Sequence, residues 1–218
     1  MTSYHERTIR RLKALYRSMR NIGLYGRWRL TRPPVPANSD GTVRIHVGCG
    51  DIDSPGFINV DARPLRHVHY VKSDLSDFHE FRDGIVDFIY MSHILEHVRH
   101  AQLLNVVCEI HRILKPKGVF RISVPDFDLL NDIYGKNGRD ISVIMQPLMG
   151  GQDYPDNVHY AVFNRVFLEQ LLTAARFSSV RSWDPLACKN HDFTDCATFT
   201  LSIGGIAYPV SLNIEAEK

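Results

Sequence analysis

The chain has no long apolar run and no motif of paired cysteines. Its 218 residues are 44% hydrophobic, but the apolar runs are the size of strands, and none approaches the roughly 20 residues that a membrane span requires. The amino terminus lacks the apolar core of a secretory signal, so we expect neither a span nor a signal peptide. The length is sufficient for one well-cored domain with short additions.

The cysteines are few and far apart. Without a Cys-x-x-Cys pair they argue against a disulfide framework or a zinc cluster, and they favour a reducing compartment. We therefore expect a cytoplasmic protein, with a peripheral position at the inner membrane surface as an option. The four positions are Cys49, Cys108, Cys188 and Cys196.

Positive charge is concentrated at the amino terminus. Residues 1–32 contain nine Lys or Arg and one acid, whereas the remainder contains 17 basic and 23 acidic residues. Apolar positions recur here at helical spacing beside a basic face, which predicts a basic amphipathic helix. The apolar positions are Ile9, Leu12, Tyr16 and Met19. A Pro-rich stretch follows, so we divide the chain into helix and linker at 1–40 and a main domain at 41–218.

Three roles are open for the basic helix. It could contact an anionic membrane or an acidic polymer, it could bind nucleic acid, or it could dock on the main domain by its apolar face with its charges solvated. We favour the membrane or polymer over nucleic acid. The sequence leaves the oligomeric state open.

From residue 42 onward, segments typical of strands and helices alternate. This alternation predicts a doubly wound, mostly parallel α/β sheet of seven strands with an antiparallel C-terminal pair, and a ligand site at the carboxyl ends of the first strands. The predicted strands are 43–48, 57–61, 67–72, 85–91, 118–124 and 179–184, then the pair 197–203 and 207–212 around Gly204-Gly205; the predicted helices are about 100–115 and 164–175.

The first strand runs directly into a Gly-x-Gly turn, and the second ends on a carboxylate. The turn is Gly48-Cys49-Gly50 and the acid is Asp61. Glycine lets a ligand lie against the main chain, and an acid at the tip of the next strand can accept hydrogen bonds from a ribose. The pattern predicts a nucleotide-type cofactor. Asp53 stands where a dinucleotide fingerprint has its third glycine, which weakens the NAD alternative.

Five segments in order give the chain a family resemblance. They are Val47-Gly48-Cys49-Gly50, Asn59-Val60-Asp61-Ala62, Ser73-Asp74-Leu75, Ser92-His93-Ile94-Leu95-Glu96-His97-Val98 and Leu114-Lys115-Pro116-Lys117-Gly118-Val119-Phe120. Together they resemble a class I S-adenosylmethionine-dependent methyltransferase with a Rossmann-like fold. The phrases Gly56-Phe57-Ile58-Asn59-Val60-Asp61 and Gly150-Gly151-Gln152 with His159 are similar to a branch of small predicted methyltransferases linked to cell-surface polysaccharide synthesis.

The resemblance implies S-adenosylmethionine as the cofactor and assigns its contacts. Gly48, Cys49 and Gly50 would lie under the methionine part, and Ser92 and His93 would face its sulfonium end. Asp61, with Ala62 beside it, would hold the ribose. Asp74 and the Leu75 amide would border the adenine.

Two features depart from the usual pattern of this family. His46 stands where many members have an acid, which puts in question how the cofactor's amino group is held. Only six residues separate Gly50 from Phe57, too few for the long helix that usually follows the first strand. We hypothesise that the amino-terminal segment covers this edge as a lid.

The segment His93-x-x-Glu96-His97 also spells the inverted zinc-peptidase signature. In that mechanism the two histidines bind zinc and the glutamate activates a water. A further ligand would be required, and Glu109 or Glu169 could be chosen only arbitrarily. We therefore expect no metal, and a zinc hydrolase is kept as a lesser alternative.

An alcohol acceptor would benefit from a general base, for which His97, His159 and Asp126 are the candidates. Each has a structural alternative: His97 could cap or pack a helix, His159 could lie in a surface loop, and Asp126 could begin the next helix.

The insert at 126–163 mixes glycines with polar and aromatic groups and predicts a pocket for a hydroxylated acceptor such as a sugar. The favoured function is O-methylation of a glycan or related small acceptor. A non-catalytic adaptor that uses the basic helix is the alternative from another class.

Overall fold

A computed structural model of the chain describes residues 23–153, 157–187 and 191–218. The apolar positions predicted for the basic helix, as well as Tyr154 and Cys188, lie outside these residues. Residues 23–31 are helical (α1), and the indole Nε1 of Trp28 donates to the Val68 carbonyl at 2.7 Å. No helix within the described ranges is long and apolar enough to span a membrane.

The protein is built on one mixed sheet of seven strands. Its order is β3-β2-β1-β4-β5-β9-β6, with parallel pairing throughout except that β9 runs antiparallel to both β5 and β6. This is the α/β Rossmann-like sheet that the sequence predicts. Its strands are β1 (Arg44–Val47), β2 (Ile58–Asp61), β3 (Tyr70–Val71), β4 (Val86–Ser92), β5 (Leu114–Pro125), β6 (Ser179–Ser182) and β9 (Ser211–Glu217).

Four further helices lie between the strands. The α2 helix (Leu103–Ile113) connects β4 to β5, whereas α3 (Phe127–Lys136), α4 (Met145–Met149) and α5 (Arg165–Ala174) lie between β5 and β6. Helices α2 and α5 pack their apolar stripes on one face of the sheet, where Leu103, Ile110 and Leu168 are fully buried. The predicted helices at 100–115 and 164–175 are confirmed, with the first preceded by a 3₁₀ turn at His100–Gln102.

An aromatic cluster covers the opposite face of the sheet. Along β4 the side chains alternate, so that Ile89 and Met91 face the helices while Phe88 and Tyr90 face the aromatic cluster. Trp183 and Phe193 complete this cluster from the segment between β6 and β9.

Charged side chains connect the three carboxyl-terminal strands of the sheet. Glu215 of β9 is buried. It accepts hydrogen bonds from Arg121 of β5 and, at 3.0 Å, from Arg181 of β6. The Arg121 guanidinium also lies 4.6 Å from the ring centre of Trp183. These contacts satisfy a buried carboxylate that would otherwise be costly.

The predicted final strand pair differs from the observed one. Asp195 caps a 3₁₀ turn at Cys196–Thr198, so the strand predicted at 197–203 begins only at Thr200. The strands β7 (Thr200–Ile203) and β8 (Ile206–Pro209) form a separate hairpin, and the sheet strand begins after Pro209. The strand predicted at 67–72 is reduced to two residues.

Candidate functional site: a cofactor cleft and a histidine cluster

The Gly-x-Gly turn closes the carboxyl end of β1. Gly48 and Gly50 have φ angles of 69° and 58°, in the left-handed region that favours glycine. The amides of Gly48 and Cys49 donate to the Val60 carbonyl at 2.7 and 3.2 Å, which connects the turn to β2. A Cβ at Gly48 would lie 2.1 Å from the Ile94 side chain. The turn therefore requires glycine both for its backbone conformation and for this close approach.

Asp61 lies at the tip of β2 directly beside the glycine turn. Its Oδ2 accepts from the Gly50 amide at 2.8 Å, and its Oδ1 accepts from the Arg63 amide at 2.8 Å and from Arg63 Nε at 3.1 Å. A carboxylate offers about four acceptor positions, so one on Oδ2 is still available to a ribose hydroxyl. Arg63 is half-exposed and can withdraw from the site. Ala62 follows on the surface.

The third strand places Asp74 and Leu75 at the same edge of the sheet. Asp74 is exposed and accepts at Oδ1 from the hydroxyl and the amide of Ser76, at 2.6 and 2.9 Å. These hydrogen bonds lower the pKa of the Asp74 carboxyl. Leu75 packs partly buried against the main core. The carboxyl ends of β1, β2 and β3 thus form one edge, where doubly wound sheets bind their ligands.

Ser92 ends β4, and the chain turns sharply at His93. His93 has a φ of 52°, which is uncommon for a residue other than glycine and is often found at functional sites. Its amide donates to the Ser123 carbonyl at 2.8 Å, which fixes the turn against β5. The Ser92 hydroxyl is buried without a hydrogen-bond partner among the described residues.

Behind this turn, three residues converge in what we call the histidine cluster: Glu96, His97 and His159. Their potential ligand atoms all lie within 4.8 Å of one another. His97 Nδ1 lies 3.1 Å from the Val158 carbonyl, and His159 Nδ1 lies 3.1 Å from the Pro147 carbonyl. A carbonyl can only accept, so both Nδ1 atoms carry a proton, and in the neutral form of each ring the lone pair is on Nε2.

Glu96 is the most enclosed member of the histidine cluster. Its side chain is 1% exposed, and His159 Nε2 and His93 Nδ1 lie 4.0 and 3.3 Å from its Oε1. Neither carboxylate oxygen has an aligned hydrogen bond from the described residues. Burial raises the pKa of Glu96, but the surrounding histidines outweigh burial and hold that pKa below its usual value. Burial lowers the pKa of His159, so this ring is neutral near pH 7.

Asp126 lies apart from the histidine cluster, at the start of α3. Its Oδ1 accepts from the Asp128 amide at 3.0 Å, so it caps this helix. Burial raises the pKa of its carboxyl. Among the described residues, no hydrogen bond or ion pair joins Asp126 to His97 or His159; the structure brings these two histidines together and leaves the third candidate base separate.

Two residues near the turn have structural roles. His46 faces the aromatic cluster, stacked 4.8 Å from Phe193, and its Nδ1 lies 3.0 Å from the Ser54 hydroxyl. Burial lowers its pKa to about 3. Cys49 is buried, and this burial raises its thiol pKa to about 12, so the thiol stays protonated and inert at neutral pH.

The proposed zinc-peptidase arrangement does not match the structure. Leu95–His97 is one 3₁₀ turn rather than a long helix, and the carboxylate converges with His97 and with the distant His159. Glu109 instead binds Arg112 and the Phe78 amide, and Glu169 pairs with Arg165. Sequence inspection alone missed that Glu96 belongs with His159, because 62 residues separate the two positions.

Comparisons with known proteins agree with this arrangement. Residues 46–122 match the Methyltransferase domain family. No curated protein sequence matches the chain.

Three solved structures share the fold at 17% sequence identity. A SAM-dependent methyltransferase from Methanosarcina mazei has a TM-score of 0.52, with 84% of this chain and 94% of that chain covered. One from Archaeoglobus fulgidus has a TM-score of 0.50, with 82% and 87% covered. The 1,6-didemethyltoxoflavin-N1-methyltransferase from Burkholderia thailandensis, with bound S-adenosylhomocysteine, has a TM-score of 0.50, with 100% and 91% covered.

The matched segment contains β1, β2, the glycine turn, Asp61 and the residues that follow β4. The cleft formed by these elements offers a main-chain surface without side chains and a carboxylate for a ribose. Residues 46–122, which match the Methyltransferase domain family, thus contain the turn and the carboxylate that could bind S-adenosylmethionine.

Proposed function

We propose that the protein transfers a methyl group from S-adenosylmethionine to a hydroxyl of a glycan or a related small acceptor. The observation that carries the proposal is the pair of histidines, His97 and His159, close behind the turn that follows β4. Their ring centres are 4.8 Å apart, and each donates Nδ1–H to a backbone carbonyl, so the neutral form of each ring has its lone pair on Nε2. Such a pair is suited to taking the proton of a hydroxyl near the sulfonium end of the cofactor.

In the cleft, the chain's own residues bind the cofactor and orient the acceptor. Gly48 allows the turn to pack against Ile94, Gly50 leaves the backbone open to the cofactor, and Asp61 receives a ribose hydroxyl. Bound S-adenosylmethionine supplies an electrophilic methyl group on a sulfonium. Positioning of an acceptor oxygen in line with that methyl makes the larger contribution to lowering the activation barrier, about 7–11 kcal/mol in favourable intramolecular models. The hydroxyl proton passes to the base.

The insert at 126–163 supports a pocket for the acceptor beside the histidine cluster. The amides of Tyr160 and Ala161 donate to the Glu96 carbonyl at 2.8 and 3.2 Å, so the insert is fastened directly to the segment that follows β4. The insert also packs through Leu130 and Ile144 against the β7–β8 hairpin. Asp126 begins this insert and is the third candidate base, although its carboxylate already caps α3.

Two experiments test the proposal in sequence. Calorimetry with S-adenosylmethionine and S-adenosylhomocysteine tests the cofactor, and we expect Asp61→Ala and Gly48→Ala to weaken binding at least about tenfold. Gly138→Ala is the matched control, because Gly138 also has a left-handed φ of 71° but nothing within 4 Å of an added Cβ. A folded protein that binds neither ligand would contradict the proposal and favour the adaptor.

The acceptor is then sought with isotopically labelled methyl donor and a panel of oligosaccharides and sugar nucleotides. We expect label on a hydroxyl oxygen, located by mass spectrometry of the methylated sugar. At saturating substrate, loss of the true base among His97, His159 and Asp126 should lower turnover by about a hundredfold or more. Label found only on nitrogen or carbon acceptors would refute O-methylation while leaving the cofactor assignment intact.

A further inference from the structure

The histidine cluster has a donor set that a free base does not require. It combines one carboxylate with two imidazoles, contributed by two segments of chain that meet only in the folded protein. We propose that Glu96, His97 and His159 bind a divalent transition-metal ion. The binding of the ion is inferred from the cluster itself. Only the role of the bound ion rests on the proposed function.

The first argument is the unsatisfied carboxylate. Glu96 is 1% exposed, yet both of its oxygens lack an aligned hydrogen bond from the described residues. An ionised carboxylate removed from water is strongly destabilised unless it is paired or binds a metal. Both oxygens could therefore act as ligand atoms in the interior of the cluster, although Oε1 also lies 3.3 Å from His93 Nδ1.

The second argument is the orientation of the two imidazoles. Each donates Nδ1–H to a backbone carbonyl, His97 to Val158 and His159 to Pro147, both at 3.1 Å. Metal-binding histidines commonly use their second nitrogen in this way, because the outer hydrogen bond fixes the tautomer and the ring orientation. The remaining Nε2 atoms are the ligand atoms, in the neutral form that metal binding requires.

The geometry needs only a small contraction. The donor atoms lie within 4.8 Å of one another, and His159 Nε2 lies 4.0 Å from Glu96 Oε1. Metal bonds to these atoms are about 2.0–2.2 Å long, so two donors on one tetrahedral ion are about 3.3–3.6 Å apart. Side-chain movements that bring the donor atoms about 1–1.5 Å closer together would place all three on one ion.

The class of metal follows from the ligands. Two histidines and one carboxylate bind zinc in catalytic sites and ferrous iron in oxygenases, with positions left open for water or substrate. Oxygen-seeking ions such as Mg²⁺ prefer carboxylates and water. An ion here would lower the pKa of a coordinated acceptor hydroxyl, and would replace a free imidazole as the group that prepares the acceptor.

One arrangement of the same residues competes with the metal. Ser211 Oγ donates to the Cys196 carbonyl at 3.0 Å, so His93 Nε2 donates to Ser211 Oγ at 2.9 Å. A second proton on His93 Nδ1, 3.3 Å from Glu96 Oε1, would then form an ion pair with the carboxylate. This arrangement neutralises Glu96 without a metal and predicts no stoichiometric binding.

The test is titration of the tag-free, metal-depleted full chain with Zn²⁺, followed by calorimetry and by competition with a chromophoric chelator. We expect one ion per chain, and at least about a hundredfold weaker binding in Glu96→Gln and in His159→Ala. Glu96→Gln keeps the shape of the side chain, so its far-ultraviolet circular dichroism should match that of the parent. Co²⁺ should give visible ligand-field bands that both variants lose.

His79→Ala is the matched control, because His79 is an exposed histidine, 71% accessible, beside Asp77. Absence of stoichiometric binding, or binding that survives in Glu96→Gln, would overturn the metal site. Titration with S-adenosylmethionine on the same samples separates the two proposals, since the cofactor could fail to bind while zinc binds, or the reverse.

Discussion

At the scale of single residues, the same residue type has different roles according to its environment. His46, His97 and His159 are all partly or fully enclosed, but only the last two converge with a buried carboxylate among the described residues. His46 packs among aromatic rings and lies on the face of the sheet opposite the main core. Its position in the glycine-turn motif is thus no guide to its function.

Burial of His46 gives the protein a predictable sensitivity to acid. Its pKa is lowered to about 3 in the folded protein, against about 6.5 in the unfolded chain. Between these values the unfolded chain binds the extra proton, so stability is unaffected above about pH 6.5 and falls as the pH decreases toward 3. The loss from this residue is at most about 5 kcal/mol, at 1.36 kcal/mol per pKa unit.

We therefore expect His46→Asn to flatten the decline in unfolding free energy between pH 6.5 and pH 4, as measured by urea denaturation at each pH. The slope should not vanish, since burial also lowers the pKa values of His69 and His191. His79→Asn, at an exposed position, should keep the slope of the parent. Identical slopes in the His46 variant and the parent would contradict the lowered pKa of His46 as a source of the acid sensitivity.

At the scale of elements, the sequence predicts best where periodicity is strong and local. The helices at 103–113 and 165–174 and the alternating strand β4 follow directly from their apolar spacing. The predictions failed where turn chemistry outweighed strand propensity. Asp195 caps a 3₁₀ turn that overlaps the start of the strand predicted at 197–203, and β8 ends at Pro209, so that β9 begins only at Ser211.

The candidate site was predictable only in its local part. The glycine turn lies eleven to thirteen residues before Asp61, on the adjacent strand, so a motif can identify them together. The partnership of Glu96 with His159 depends on how the insert returns to the segment that follows β4, and no local pattern encodes it. A buried carboxylate can be recognised as unsatisfied only once its surroundings are known.

Gly150 is the critical residue for the position of His159. Gly150 has a φ of 80°, and a Cβ there would lie 2.6 Å from the Asn157 carbonyl oxygen. The same oxygen accepts from the Gln152 amide at 2.9 Å, and the His159 amide donates to the Met149 carbonyl at 3.1 Å. An alanine at Gly150 must displace the backbone that carries His159.

We expect Gly150→Ala to lower the free energy of unfolding by at least about 2 kcal/mol more than Gly205→Ala does. Gly205 has a nearly equal φ of 82° with nothing within 4 Å of an added Cβ, so it reports the conformational cost alone, about 1–2 kcal/mol. Urea denaturation of both variants measures the difference. Equal losses would mean that the contact with Asn157 relaxes freely and that Gly150 does not position His159.

At the scale of the whole molecule, the described contacts of residues 23–42 lie away from the cofactor cleft. The linker side chain of Asn38 donates to the carbonyls of Thr42 and Gly56 at 2.8 and 2.9 Å, and Trp28 donates to Val68. These contacts lie at the amino ends of β1, β2 and β3, whereas the cofactor cleft lies at the carboxyl ends. The contacts therefore do not favour residues 23–42 as a lid over the cofactor.

The positive charge of the basic segment favours contact with an anionic membrane surface. Residues 1–22 contain six Lys or Arg and one acid, a net charge of +5, so their removal changes the formal charge of the chain from +2 to −3. Each basic residue close to an anionic membrane surface contributes about 1 kcal/mol to binding. The fold and the cleft, in contrast, are formed by residues that the deletion leaves in place.

We expect deletion of residues 1–22 to weaken sedimentation with phosphatidylserine vesicles at least about tenfold and to leave the affinity for S-adenosylmethionine unchanged. Binding of the full chain should fall steeply with salt, because surface charge is screened over about 10 Å at 0.1 M ionic strength. Neutral phosphatidylcholine vesicles should retain little of the full chain or of the deletion variant. A deletion that keeps vesicle binding would exclude the membrane contact. If it instead reduced cofactor affinity, residues 1–22 would reach the cleft, and the lid hypothesis would be correct.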